Sequence, residues 1–239
     1  MEINLENLLE EVLHNQRYSN AKTTTKPIYE PTEFRRFFLE VLANEVKKRG
    51  RTLQINDETK RAINLICQYM NNEQQFLENE GFTFNKGLWL YGAFGSGKTV
   101  LMLTYREVKR ILFRETVGFK TCVQMNEAFL HFDKDAGKIN GELGIQTFTN
   151  KHDKVERIFD DLGEEETTVQ NFGNKFCVMG KILTERYKGF PNTTTHITTN
   201  LSRTKLPEYY GGRVDSRVYE MFNLIVLGKS RDSIDHRKL

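Results

Sequence analysis

The chain is short of several things, and each shortage removes a class of protein. Its three cysteines, Cys67, Cys122 and Cys177, lie far apart, with neither CxxC spacing nor an even count. That pattern suggests neither a disulfide framework nor a zinc site, so the three read as small buried hydrophobes. No apolar run approaches the ~18 residues needed to cross a bilayer. The first residues, MEINLENLLEEV, are acidic where a secretory leader would be basic. A cytoplasmic location, away from any membrane, is therefore expected. Net charge is only +3, a value that solvated surfaces reach without a partner, so charge alone neither requires nor excludes nucleic acid. Internal repeats and low-complexity tracts are also missing.

What the chain does have is room for one α/β domain with a small appendage, since domains run to about 100–200 residues. Leu5, Leu8, Leu9, Val12 and Leu13 recur at helical spacing, with Glu2, Glu6, Glu10 and Glu11 among the other positions. This is a short amphipathic helix, followed over residues 17–27 by an aperiodic tether. Such a helix either docks in a partner's groove or folds back on its own domain. A second helix is expected from an N-cap at Thr32, with Phe34, Phe37, Phe38, Val41, Leu42 and Val46 on one face, ending at Gly50. A third begins at Asn56 and carries Ile63, Ile66, Cys67 and Met70. The basic cluster Lys47, Lys48, Arg49 and Arg51 suits a helix C-terminus as well as it suits DNA.

From Lys86 onward, short apolar runs alternate with helical patterns. Strands are expected at 88–91, 119–124, 155–159, 194–198 and 223–227. Helices are expected at 99–114, around 176–188 and around 214–221. The alternation predicts an α/β fold, a five-stranded parallel sheet flanked by helices. The expected division is 1–30 for the amphipathic helix and tether, 31–85 for a helical preface and 86–239 for the sheet domain.

Directly behind the first strand stands Gly92-Ala93-Phe94-Gly95-Ser96-Gly97-Lys98-Thr99, which matches G-x-x-x-x-G-K-[ST] throughout. Glycines let backbone N–H groups turn inward around a polyphosphate, and the following helix aims the positive end of its dipole at the same charge. Gly92, Gly95, Ser96, Gly97, Lys98 and Thr99 are thus the candidate residues for binding ATP. Lys98 would reach the β- and γ-phosphates, and the Thr99 hydroxyl would ligate Mg2+. Further along, Arg157-Ile158-Phe159-Asp160-Asp161-Leu162-Gly163 ends a strand with two carboxylates. Asp160 is the candidate for hydrated magnesium, and Asp161 for orienting the attacking water; as bare residues they also fit a solvated strand-to-loop transition. Thr198-Thr199-Asn200 closes another strand, where ligands of open parallel sheets bind, so Asn200 is a candidate for the γ-phosphate or the water. Its plainer reading is a turn residue. Arg213 and Arg217 share a helix face behind Gly211-Gly212. They either pair within the monomer or reach a neighbour's site as arginine fingers.

Taken in order, GAFGSGKT, IFDDLG, ILTERY, HITTNLS and GGRVDSR resemble the AAA+ ATPases of the DnaC/IstB type, over roughly residues 86–228. The resemblance implies that Asp160 and Asp161 form Walker B, that Asn200 is sensor 1, and that Arg217, with Arg213 close behind, is the finger. It also implies the P-loop NTPase (AAA+) fold without a C-terminal lid, and weak ATP hydrolysis. Its implied partners are single-stranded DNA, other copies of the chain at the ATP sites, and a replicative helicase docked through residues 1–15. The polar stretch 126–154, with Phe129, Phe132 and Phe148 among Lys134, Lys138, Lys151 and Lys154, is the candidate DNA contact. Asp133, Asp135, Glu142 and Asp153 dilute its field. Three other functions stay open: an IstB-like transposition helper acting on double-stranded DNA, a small-molecule P-loop kinase, and a switch that holds ATP and hardly hydrolyses it. The last is kept open by Asp161, which stands where fast AAA+ motors use glutamate.

Overall fold

The computed structural model describes residues 27–136, 155–171, 174–189 and 192–228, with side chains omitted at a few of these. The expected docking helix and tether, most of the stretch 126–154 and the tail 229–239 lie outside the described residues. By internal packing the chain divides into two compact units. Among the described residues, one holds 27–84, 93–115 and 225–228, and the other 85–92 and 116–224.

The first unit is built on helices. α1 (Pro31–Lys47) buries Phe34, Phe37, Phe38, Val41 and Leu42. Its N-cap is Glu30 rather than Thr32, because the Glu30 carboxylate accepts the Glu33 N–H at 2.8 Å. Pro31 then fills the first helical position, where a missing N–H costs nothing. At the other end Lys48 and Arg49 pair with Glu45 at 2.5 and 3.2 Å, so part of the basic cluster is a charge-compensated helix end. α2 (Asp57–Met70) starts as expected, with Asn56 capping Thr59 at 2.8 Å. α3 (Lys98–Val108) packs on α1 and stops short of Arg114, giving way to a π-turn over Lys109–Phe113 that ends at Arg114 in the left-handed region. A buried amide ties the segment together: Asn71 accepts from the Tyr29 N–H and donates to the Tyr29 carbonyl and to Glu73.

The second unit carries most of the sheet. The five parallel strands are β1 (Gly87–Gly92), β2 (Gly118–Thr121), β3 (Arg157–Leu162), β6 (Thr195–Thr199) and β7 (Phe222–Leu227), in the order β2-β3-β6-β1-β7. A separate antiparallel hairpin joins β4 (Val169–Asn171) to β5 (Asn174–Phe176). The helices are α4 (Cys122–Ala136), α5 (Val178–Gly189), α6 (Leu206–Tyr210) and α7 (Gly212–Met221). β2 ends at Thr121, short of the expected Gln124, because Thr121 and Gln124 exchange side-chain-to-backbone bonds at 3.1 Å. That reciprocal pair is a capping box and starts α4 at once. Trp89, Phe129, Phe159, Ile197, Ile182, Leu183 and Phe222 belong to the core, each such side chain stabilising by about 1.5–3 kcal/mol on burial. Phe129, expected as a base-stacking residue, is 1% exposed and packs edge-on against Phe176, so it is core and not a DNA contact.

β6 is buried yet polar, and its side chains join the elements around it. His196 accepts the Leu88 N–H through Nδ1 at 3.0 Å, and its Nε2 lies 2.9 Å from Glu156. Thr195 accepts from Arg186, the largest fully buried side chain of the ILTERY stretch. Arg186 also donates to the Thr194 and Val155 carbonyls and lies over the Phe159 ring. This arginine is a structural brace. Cys67 and Cys122 are buried as expected, and Cys177 is half-buried; all three are free thiols. Among the described residues, no helix is long and apolar enough to cross a membrane.

Candidate nucleotide site

The glycine-rich loop that is the candidate for phosphate binding follows β1 directly in the chain. Gly95 and Gly97 take φ of +76° and +92°, the left-handed region that residues with a Cβ adopt only under strain. Gly97 serves as the N-cap of α3, and its carbonyl accepts the Leu101 N–H at 2.9 Å. The side chain of Lys98 is tucked into the loop, 5% exposed, with Nζ donating to the Ala93 carbonyl at 2.9 Å. Ser96 is also buried, and its hydroxyl has no hydrogen-bond partner among the described residues. An orphaned buried hydroxyl costs about 1–3 kcal/mol. A polyphosphate oxygen would satisfy it, so the residues present fit a nucleotide. Thr99 opens the same helix, next to Lys98.

Within the second unit the carboxyl ends of three strands meet. Register places Tyr91 opposite Thr199 on one side and Leu162 opposite Thr199 on the other. A bulge between Phe159 and Leu162 interrupts the β3–β6 ladder at the two aspartates, and Asp161 has φ +56°. Thr198 holds this irregular turn: its hydroxyl accepts the Asp161 N–H at 2.9 Å and donates to the Asp160 carboxylate at 2.6 Å. Asp160 is 2% exposed. Such a hydrogen bond to a charged group is worth about 1.5–3 kcal/mol. Asn200 donates to Glu164 at 2.9 Å, so the end of β6 also grips the loop after β3. Gly163, at φ +99°, lies against Leu201, where an added Cβ would come within 3.1 Å.

One acidic neighbour and its tyrosine partner are absent from the sequence reading. Glu165, 6% exposed, accepts the Gly163 N–H at 2.9 Å and the Tyr210 hydroxyl at 2.5 Å. Burial pushes its carboxyl above the ordinary range, against the lowering effect of the Tyr210 bond. Burial, then the Glu165 charge, pushes the Tyr210 phenol up as well, so it stays a neutral donor. The signal available in the sequence was the run Glu164-Glu165-Glu166 immediately behind Gly163. In the sequence Thr198 stands out only as part of Thr198-Thr199-Asn200 at a strand end.

The two arginines of α7 differ. Arg217 lies over the Tyr187 ring at 4.5 Å, and the Tyr187 hydroxyl donates to Glu220 at 2.6 Å. Its Nη1 is buried without a hydrogen-bond partner among the described residues. Arg213 is exposed and lines an open pocket of about 690 Å³ together with Lys175, Lys181, Thr184 and Tyr210. Among the described residues, no aspartate or glutamate lines that pocket.

A G-x-x-x-x-G-K-[ST] loop directly behind β1, in a five-stranded parallel sheet whose β3 carries paired aspartates near its carboxyl end, matches an α/β fold of the P-loop type. Neither a protein-family model nor a curated protein matches the chain. Among solved structures the chain is similar to the DnaC helicase loader, at 25% identity and a TM-score of 0.49, covering 73% of this chain and 93% of that one. It is similar to DnaI at 21% identity and a TM-score of 0.47, covering 80% and 91%. AMPPCP-bound DnaA from Aquifex aeolicus is similar at 20% identity and a TM-score of 0.47, covering 72% of this chain and 48% of that one.

Proposed function

We propose that the chain is an ATP-binding and ATP-hydrolysing accessory of DNA replication that loads or regulates a replicative helicase on single-stranded DNA. The observation that carries the nucleotide part is the loop itself, with left-handed Gly95 and Gly97, buried Lys98 and the orphaned Ser96 hydroxyl. Gly92, Gly95, Ser96, Gly97, Lys98 and Thr99 hold the phosphates. Thr99 and Asp160 hold Mg2+, which would supply charge neutralisation at the phosphates. Asp161 orients the attacking water, and Asn200 senses the γ-phosphate from the end of β6. Arg217 or Arg213 completes a neighbouring copy's site. The stacking of Arg217 on Tyr187 favours Arg213 for direct contact and Arg217 for fixing the helix. The helicase part is supported by the ordered set of motifs that resembles the DnaC/IstB type, with residues 1–15 as the docking element.

Binding of the full chain to matched single- and double-stranded oligonucleotides, with and without ATP at fixed salt, tests this reading. ATP-dependent preference for the single strand is expected. Preference for duplex would replace it with the transposition-helper function, and absence of DNA binding would turn attention to a metabolite kinase.

A further inference from the structure

The acidic turn and the arginine helix are far apart in sequence, yet one buried carboxylate touches both. Glu165 Oε2 accepts from the backbone of Gly163, two residues behind Asp161, and Oε1 accepts from the hydroxyl of Tyr210, the last residue of α6. Tyr210 is followed by Gly211, which has φ +82° and acts as the N-cap of α7, its carbonyl accepting the Val214 N–H at 3.1 Å. Glu165 and Tyr210 are 6% and 8% exposed, so water does not compete for their bond. A displacement of the Asp160–Gly163 turn therefore moves an acceptor to which the base of α7 is attached. Tyr210 also lines the pocket that carries Arg213 and Lys181.

From this geometry we propose that Glu165 and Tyr210 are positioning residues, which transmit the nucleotide state of the Asp160–Asp161 turn to the arginines of α7. The proposal rests on the ATP-binding reading above and adds to it a defined route of coupling. Neither residue belongs to the loop 92–99 or to the aspartate pair. Coupling of this kind needs an element with two arrangements that both sites bias. The proposal places that change at Gly211, the glycine at φ +82° between α6 and α7.

The test is hydrogen exchange of the full chain with and without ATP, on the natural sequence and on Tyr210→Phe and Glu165→Gln, beside calorimetric ATP titration of each. In the natural protein, ATP is expected to slow exchange both at residues 161–166 and across α7. In Tyr210→Phe, protection of residues 161–166 is expected to persist while that of α7 is lost, with ATP affinity changed by less than about twofold. In the same variant kcat should fall by about tenfold with KM little changed, the pattern of an interaction realised only in the transition state. Glu165→Gln, which keeps the side chain's length and one acceptor oxygen, should give an intermediate loss. Equal ATP-induced protection of α7 in the natural and Tyr210→Phe proteins would overturn the coupling while leaving ATP binding intact. Equal loss of protection in both segments would assign the pair a purely structural role. Absence of ATP binding by the natural protein is a separate result, and it would remove the underlying reading and this one with it.

Discussion

The phosphate loop and the acidic turn are built in opposite ways. In the loop, Lys98 bonds Ala93 five residues back and Ser96 bonds Ala93 three back, so one short segment shapes itself. At the turn, Asp161 is held by Thr198 at a separation of 37 residues, Glu164 by Asn200 at 36 and Glu165 by Tyr210 at 45. A self-contained loop can be set by glycine placement alone. A turn held by three residues from two other segments keeps its shape only while the sheet and α6 keep theirs. The residues proposed to bind thus lie in the local part, and those proposed to respond lie in the part with distant supports.

Substitutions should separate the two. Lys98→Ala removes the loop's cation and should weaken ATP binding by about 100-fold or more, measured with a fluorescent nucleotide. Retained affinity in that variant would break the division at its strongest point. Thr198→Val removes the hydroxyl that bonds both the Asp161 N–H and the Asp160 carboxylate. It should cost about 1–3 kcal/mol in urea unfolding and lower turnover while leaving ATP affinity close to the natural value. A large loss of affinity there would show that the turn also binds. Gly97→Ala forces a Cβ onto φ +92°, with a cost of about 1–2 kcal/mol and weaker nucleotide binding, because the strain falls in the loop. Lys48→Ala sets the floor: its ion pair with Glu45 is largely exposed at the lysine, so the change should stay below about 1 kcal/mol with nucleotide binding unaltered.

The same contrast explains what could be read in advance. GAFGSGKT announces its own conformation, and the alternation of strands and helices behind it gave the parallel sheet. Asn56 was legible as a cap, because capping is local. Thr32 is the commoner type of cap, yet Glu30 caps this helix, and Pro31 beside it marks the start. The end of β2 was misplaced because apolar residues continue through Cys122 and Val123, while the Thr121–Gln124 capping box turns the chain into a helix. Phe129 looked available to bases when set among lysines, but the helix places it in the core against Phe176. Thr198 and Tyr210 carry no local signature, and the Glu164-Glu165-Glu166 run marks where Glu165 lies without showing what it bonds. Their function depends on register between strands and on a bond spanning 45 residues, which periodicity does not encode.

The central claim is that residues 92–99 grip the phosphate chain of a nucleotide. Calorimetric titration of the full chain with ATP and with AMP, each with Mg2+, tests it most directly. The account predicts one ATP site per chain and binding of AMP weaker by about 100-fold or more, since AMP lacks the β- and γ-phosphates that the loop and Lys98 address. Equal affinity for the two nucleotides, or no binding of ATP, would contradict it.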